Sequence, residues 1–136
     1  MKKVFSAICI GIAMLSSNDI CAKVIEKQIS FNKGSTGSQL NDKLTGYDSI
    51  QYTLYAKADQ LLSFNITSTN NLAKINIYSP GDRPGSAEAL YRDSTSGDII
   101  LPKTGAYTIQ IYQMRNSARR GGTVKYNLNL SVVDYD

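Results

Sequence analysis

Three arginines, Arg115, Arg119 and Arg120, fall close together in the segment Gln113-Met114-Arg115-Asn116-Ser117-Ala118-Arg119-Arg120-Gly121-Gly122, which contains no acidic residue. A guanidinium is a planar fork of donors that matches carboxylates and phosphates, so the chemistry on offer is recognition of an anion. If Asn116-Ser117 cap a single helical turn, Arg115 and Arg119 share one face at a spacing of four. Like charges so placed repel by about 0.2–0.5 kcal/mol, and nothing in the segment offsets this. The bland alternative is a solvated loop kept polar for solubility. The unopposed cluster points instead to an anionic partner, with Arg115 and Arg119 as expected contacts and Asn116 and Arg120 as further candidates. Tyr47, in the turn Gly46-Tyr47-Asp48, is another. It could merely cover the end of a core, but exposed tyrosine accompanied by arginine is the usual make-up of an interface anchor.

Absences narrow the function classes. The chain has no histidine, and its two cysteines are Cys9 and Cys21, both near the N-terminus. Ser-His-Asp and Cys-His catalysis, the usual zinc sites and histidine-ligated haem all need residues that are missing. A carboxylate pair or a Ser-Lys arrangement would remain, but neither shows a recognisable spacing. No enzyme activity, cofactor or metal is expected. Asp82, Glu88, Asp93 and Asp98 raise the question of calcium, yet their spacings match no known metal loop. The net charge of +4 is mild and dispersed, unlike a nucleic-acid binder.

The elements that must position these residues read as strands. Lys2 and Lys3 precede an apolar run, Val4 to Leu15, and Ile20-Cys21-Ala22 offers a cleavage site. Residues 1–22 are therefore expected to be a secretory signal peptide, the run being too short to span a bilayer. No second apolar run is long enough for membrane insertion. Residues 23–136 are left as a single domain that lacks cysteine, so its stability must come from packing.

From Lys23 onward, period-2 alternation dominates. Ile25, Ile29 and Phe31 are expected to face inward, with Asn32-Lys33-Gly34-Ser35 as a turn. A weaker run covers Ser38 to Leu44. Clear strands follow at Ile50 to Ala56, Leu62 to Ile66 and around Ile75 and Ile77, and a brief one at Ile99 to Leu101. Ser79 to Gly97 looks irregular, with a helical turn possible over Ala87–Tyr91. Tyr107, Ile109 and Ile111 alternate before the arginine segment, and Val124 to Val132 alternate after it, which reads as a hairpin with the arginines at its tip. About eight strands with turn signals every 8–12 residues imply an all-β fold, an antiparallel β-sandwich, with a closed barrel as the other architecture. Tyr52, Tyr107 and Tyr126 read as core. Tyr55, Tyr78 and Tyr112 read as wet.

Gly46-Tyr47-Asp48, Tyr52-Thr53-Leu54-Tyr55-Ala56-Lys57, Leu101-Pro102-Lys103-Thr104-Gly105-Ala106-Tyr107 and, above all, Gln113-Met114-Arg115-Asn116-Ser117-Ala118-Arg119 resemble the periplasmic inhibitors of goose-type (g-type) lysozyme from Gram-negative bacteria. The resemblance spans roughly Leu44 to Val133. It implies a periplasmic β-sandwich that binds g-type lysozyme as its protein partner and blocks the substrate cleft, with Tyr47, Arg115 and Arg119 facing that cleft. Lys23 to Lys43 and Ser79 to Gly97 match no part of the family pattern. A competing class is a non-inhibitory module for peptidoglycan or another glycan. The absence of tryptophan weighs against it, while the three wet-face tyrosines favour it.

Overall fold

The computed structural model describes residues 22–30, 37–85 and 88–134. The expected signal peptide therefore falls almost wholly outside the described residues, as do Phe31 and the turn expected at Asn32–Ser35. Nine strands are described: β1 (Val24–Gln28), β2 (Gly37–Thr45), β3 (Ser49–Ala56), β4 (Gln60–Ser68), β5 (Ala73–Tyr78), β6 (Tyr91–Ser94), β7 (Ser96–Ile100), β8 (Gly105–Gln113) and β9 (Thr123–Asp134). They form a five-stranded sheet in the order β1-β3-β8-β5-β6 and a four-stranded sheet in the order β2-β9-β4-β7. Two separate sheets make this a sandwich and not a closed barrel.

The core lies between the sheets and follows from the alternation. Ile50, Tyr52, Leu54 and Ala56 of β3 are buried, as are Tyr107, Ile109 and Ile111 of β8. They meet Leu62, Phe64 and Ile66 of β4 and Val124 through Val132 of β9. Burying such a side chain contributes about 1.5–3 kcal/mol, which is how strands that contain no cysteine hold two sheets together.

Several expectations are corrected. β8 and β9 do not pair and so form no hairpin: β8 lies between β3 and β5, whereas β9 lies between β2 and β4 in the other sheet. Both strands bury their apolar faces against the same core from opposite sides, which two neighbours in one sheet could not do. The arginine segment is thus a bridge between sheets.

β1 pairs with β3 in parallel, the one departure from the antiparallel pattern among the described strands, and Ile25 is exposed at this sheet edge. Ser79–Gly97 holds β6 and the start of β7. The helical turn expected there has Ala87 outside the described residues, while Tyr91 opens β6. That short edge strand carries polar residues, a left-handed Asp93 (φ 55°) and a register shift against β5, so no clean alternation marks it. Tyr78, expected to be wet, is buried at the end of β5.

Because the chain crosses between sheets at almost every connection, its loops gather at the two ends. One end is built by three of them: the β2–β3 turn, the β4–β5 connection with its short 3₁₀ turn at Thr69–Asn71, and the β8–β9 bridge. Backbone bonds join them, from Gly46 N–H to the Gly122 carbonyl (3.0 Å) and from Met114 N–H to the Leu72 carbonyl (3.0 Å).

Candidate functional site

The bridge from β8 to β9 contains one short helix, α1 (Arg115–Arg119). The single turn foreseen from the sequence is present, but Asn116 and Ser117 lie inside it. Met114 takes the N-cap position, in extended geometry and without a side-chain cap bond. The C-terminal end is closed by the backbone: Gly121 N–H donates to the Ala118 carbonyl (2.9 Å) and Gly122 N–H to the Ser117 carbonyl (3.1 Å). This 5→2 and 6→1 pair is the Schellman motif, which needs a left-handed residue just past the helix. Gly121 supplies it at φ 73°. Gly122 is required for space, since a Cβ there would meet Ser117 Oγ at 2.9 Å and the Ser117 carbonyl oxygen at 3.3 Å.

Arg115 and Arg119 sit one turn apart on α1 and both are exposed, as are Asn116 and Arg120. None of the three arginines forms an ion pair with a described residue. Ser117 and Ala118 are the buried side of the helix. Tyr47 is 45% exposed in the β2–β3 turn, which closes with Asp48 N–H donating to the Thr45 carbonyl (3.1 Å). The structure therefore brings the Tyr47 turn and the arginine helix to the same end of the sandwich, joined through Gly46 and Gly122.

What joins them more fully is a residue the sequence did not single out. Gln113 closes β8 with only 4% of its surface exposed. Its Nε2 donates to the Gly46 carbonyl (3.0 Å) and to the Gly122 carbonyl (2.7 Å), and its Oε1 accepts from the Ser117 hydroxyl. No buried side-chain polar atom among the described residues lacks a partner. One signal was available: Gln113 continues the inward set Tyr107-Ile109-Ile111 by period 2, so a polar side chain was due at a buried position.

Two shallow grooves, of about 660 and 580 Å³, lie on the outer sheet faces, one beside Lys43 and Lys125 and the other beside Glu26 and Arg83, and neither is lined by Tyr47 or the arginines. No group of three or more potential metal ligands occurs among the described residues, so Asp82, Glu88, Asp93 and Asp98 are not gathered into a site there. Tyr55 is 65% exposed, but Tyr78 is buried and Tyr112 half-buried, so the three do not make the aromatic platform a glycan module would use.

No family model matches the chain. Curated and solved proteins do. The inhibitor of g-type lysozyme from Escherichia coli strain K12 is 30% identical over 123 residues, covering 89% of this chain and 90% of that protein. The crystal structure of the periplasmic inhibitor of g-type lysozyme from Aeromonas hydrophila is 41% identical with a TM-score of 0.78, covering 82% of this chain and 99% of that one. The corresponding inhibitor from Salmonella Typhimurium is 27% identical with a TM-score of 0.62 over the same shares. With sequence and two-sheet fold both matched along nearly the full length of these inhibitors, the chain belongs to the family of periplasmic inhibitors of g-type lysozyme.

Proposed function

We propose that this protein inhibits g-type lysozyme in the periplasm by inserting the Tyr47 turn and the arginine helix into the enzyme's substrate cleft. It reaches that compartment through removal of residues 1–22 as a signal peptide. The observation that carries this reading is the joining of two loops, distant in sequence, into one end whose exposed arginines form no ion pair among the described residues. Such a surface fits a partner lined with carboxylates. Glycoside hydrolysis uses a pair of them, one of which must be protonated to act as general acid. An inserted guanidinium blocks the sugar site and favours the ionised carboxylate, withholding the catalytic proton. Arg115 and Arg119 are the expected cleft contacts, Tyr47 the anchor beside them, and Asn116 and Arg120 flanking contacts.

A lysis assay tests this. Goose-type lysozyme is expected to be inhibited stoichiometrically, and chicken-type lysozyme little affected. Truncating one member of a buried charge pair costs about 2–5 kcal/mol, so Arg115→Ala or Arg119→Ala should weaken inhibition by roughly thirty- to several-thousand-fold. Exposed substitutions of this kind move stability by no more than about 0.5 kcal/mol. If both variants are folded and inhibit like the parent, the cleft-insertion mechanism is wrong.

A further inference from the structure

The Gln113 side chain does more than fill the end of the core. It leaves the last residue of β8, in the five-stranded sheet, and reaches the Gly122 carbonyl just before β9 in the other sheet. The same nitrogen bonds the Gly46 carbonyl, one residue before Tyr47, while its oxygen holds Ser117, midway between Arg115 and Arg119. Two N–H donors on one atom with an acceptor beside them is a combination that a primary amide provides and that a carboxylate, hydroxyl or ammonium does not. A glutamate here would set a carboxylate against two carbonyl oxygens. An aliphatic residue would leave the Gly46 carbonyl and the Ser117 hydroxyl without this partner, and the Gly122 carbonyl with only its bond from Gly46 N–H (3.0 Å). The spacing around the amide is equally constrained, because Gly122 has no room for a Cβ against Ser117.

We infer that Gln113 is a positioning residue that makes the Tyr47 turn and the arginine helix a single preset surface, so that each anchor's contribution to inhibition depends on the other through it. This rests on the assignment of Tyr47 and Arg119 as contacts. Ordering loops at the moment of binding lowers affinity, and a surface held in its bound geometry avoids that cost. Losing the amide reduces the fraction of molecules with both anchors in place, and apparent affinity falls by the same factor. Residues coupled through a shared network also fail to act additively, whereas independent ones add to within about 0.3–0.5 kcal/mol, roughly a factor of two.

The test is a double-mutant cycle on inhibition of goose-type lysozyme. Tyr47→Ala, Arg119→Ala and their combination are compared in the parent and in Gln113→Met, with melting temperature and amide NMR spectra recorded for each. In the parent, the double variant's fold-change should differ from the product of the single fold-changes by about threefold or more. In Gln113→Met, the parent level of inhibition should fall about tenfold or more, and the remaining effects of the two anchors should multiply to within about twofold. A merely structural role would lower the melting temperature without abolishing the coupling. If Gln113→Met does not fold, Ser117→Ala, which removes only the hydroxyl on Oε1, carries the same comparison. Additive anchors in the parent, or coupling that survives loss of the amide, overturn the inference while leaving the cleft contacts standing. Anchors whose loss changes nothing would defeat both.

Discussion

Two of the polar clusters that border the apolar interior are built from opposite chemistry. At the end that carries Tyr47 and α1 the cluster is neutral, with the Gln113 amide, the Ser117 hydroxyl and two backbone carbonyls. At the flank between β1–β3 and β2–β9 it is ionisable. Tyr52 and Tyr126 meet across the core through their hydroxyls at 2.6 Å. Beside them Lys27, the register partner of Tyr52, forms an ion pair with Asp42, the register partner of Tyr126. The flank therefore responds to pH, whereas the Gln113 network at the end is built from groups that do not titrate. Under the proposed cleft contact, the surface gains from this separation: the Gln113 network stays uncharged while the partner's carboxyls change charge.

The largest effect on stability is expected at the flank. Tyr126→Phe removes one hydroxyl of a buried pair and leaves that of Tyr52 without its partner, at a cost of about 1–3 kcal/mol. The melting temperature should fall by several degrees, measured by calorimetry or circular dichroism. Replacing both tyrosines restores the match of partners, so Tyr52→Phe/Tyr126→Phe should recover most of the loss. Inhibition well below the melting temperature should stay at the parent level in both variants. Weakened inhibition in a fully folded Tyr126→Phe protein would break the comparison, since it would tie the flank to the end.

A smaller stability effect with the opposite functional outcome is expected at the end. Gly122→Ala forces a Cβ to 2.9 Å from Ser117 Oγ, a side-chain atom that can shift, while the nearest backbone atom is at 3.3 Å, so the overpacking cost falls near the low end of its usual range, about 1 kcal/mol. The strain falls on α1 and the Schellman turn, not on the sheets. Inhibition should weaken clearly while the melting temperature moves less than in Tyr126→Phe. A variant that inhibits normally would mean that the placement of α1 relative to Gly122 is unimportant.

How much of this was legible beforehand depends on whether a residue's role is local or set by topology. The strands with strict alternation, β3, β4, β8 and β9, read directly, because each buries one face. The helical turn, the exposure of Arg115, Arg119 and Tyr47, and the core places of Tyr52, Tyr107 and Tyr126 also followed from local pattern. Sheet membership did not. Two alternating strands around a loop look the same whether they pair with each other or face each other across a core, and so the bridge from β8 to β9 read as a hairpin. The join between Tyr47 and α1 was hidden for the same reason, since Gly46 and Gln113 are far apart in sequence and meet only once both sheets are in place. β1 and β6 are edge strands with little to bury, and periodicity is silent about such elements.

The smallest expected effect is the contribution of the Lys27–Asp42 pair, which the pH dependence of unfolding can isolate. Burial works to raise the Asp42 carboxyl. It is outweighed by the hydrogen bond from Lys27, the Lys43 backbone N–H and the charges of both lysines, which together hold it below its ordinary value. A group depressed in the folded state contributes stability that is present above its unfolded pKa, about 3.9, and is lost as pH falls through the folded value. The hydrogen bond to Asp42 raises Lys27, so its share is present below about pH 10.4 and is lost as pH rises through the folded value. Burial also pushes Tyr52 and Tyr126 upward. The unfolded chain alone then ionises them just above pH 10, which adds to the alkaline loss. Stability should therefore be flat between about pH 5 and 9 and fall at both extremes. Because Lys27 and Asp42 are partly exposed, solvent screening limits the pair to at most about 1 kcal/mol. Lys27→Met should lower stability by no more than that at neutral pH and converge with the parent as pH falls through the depressed folded value of Asp42, below which the carboxyl is protonated in both. Parallel curves at every pH would show that the pair adds nothing, leaving the two tyrosines as the flank's source of stability.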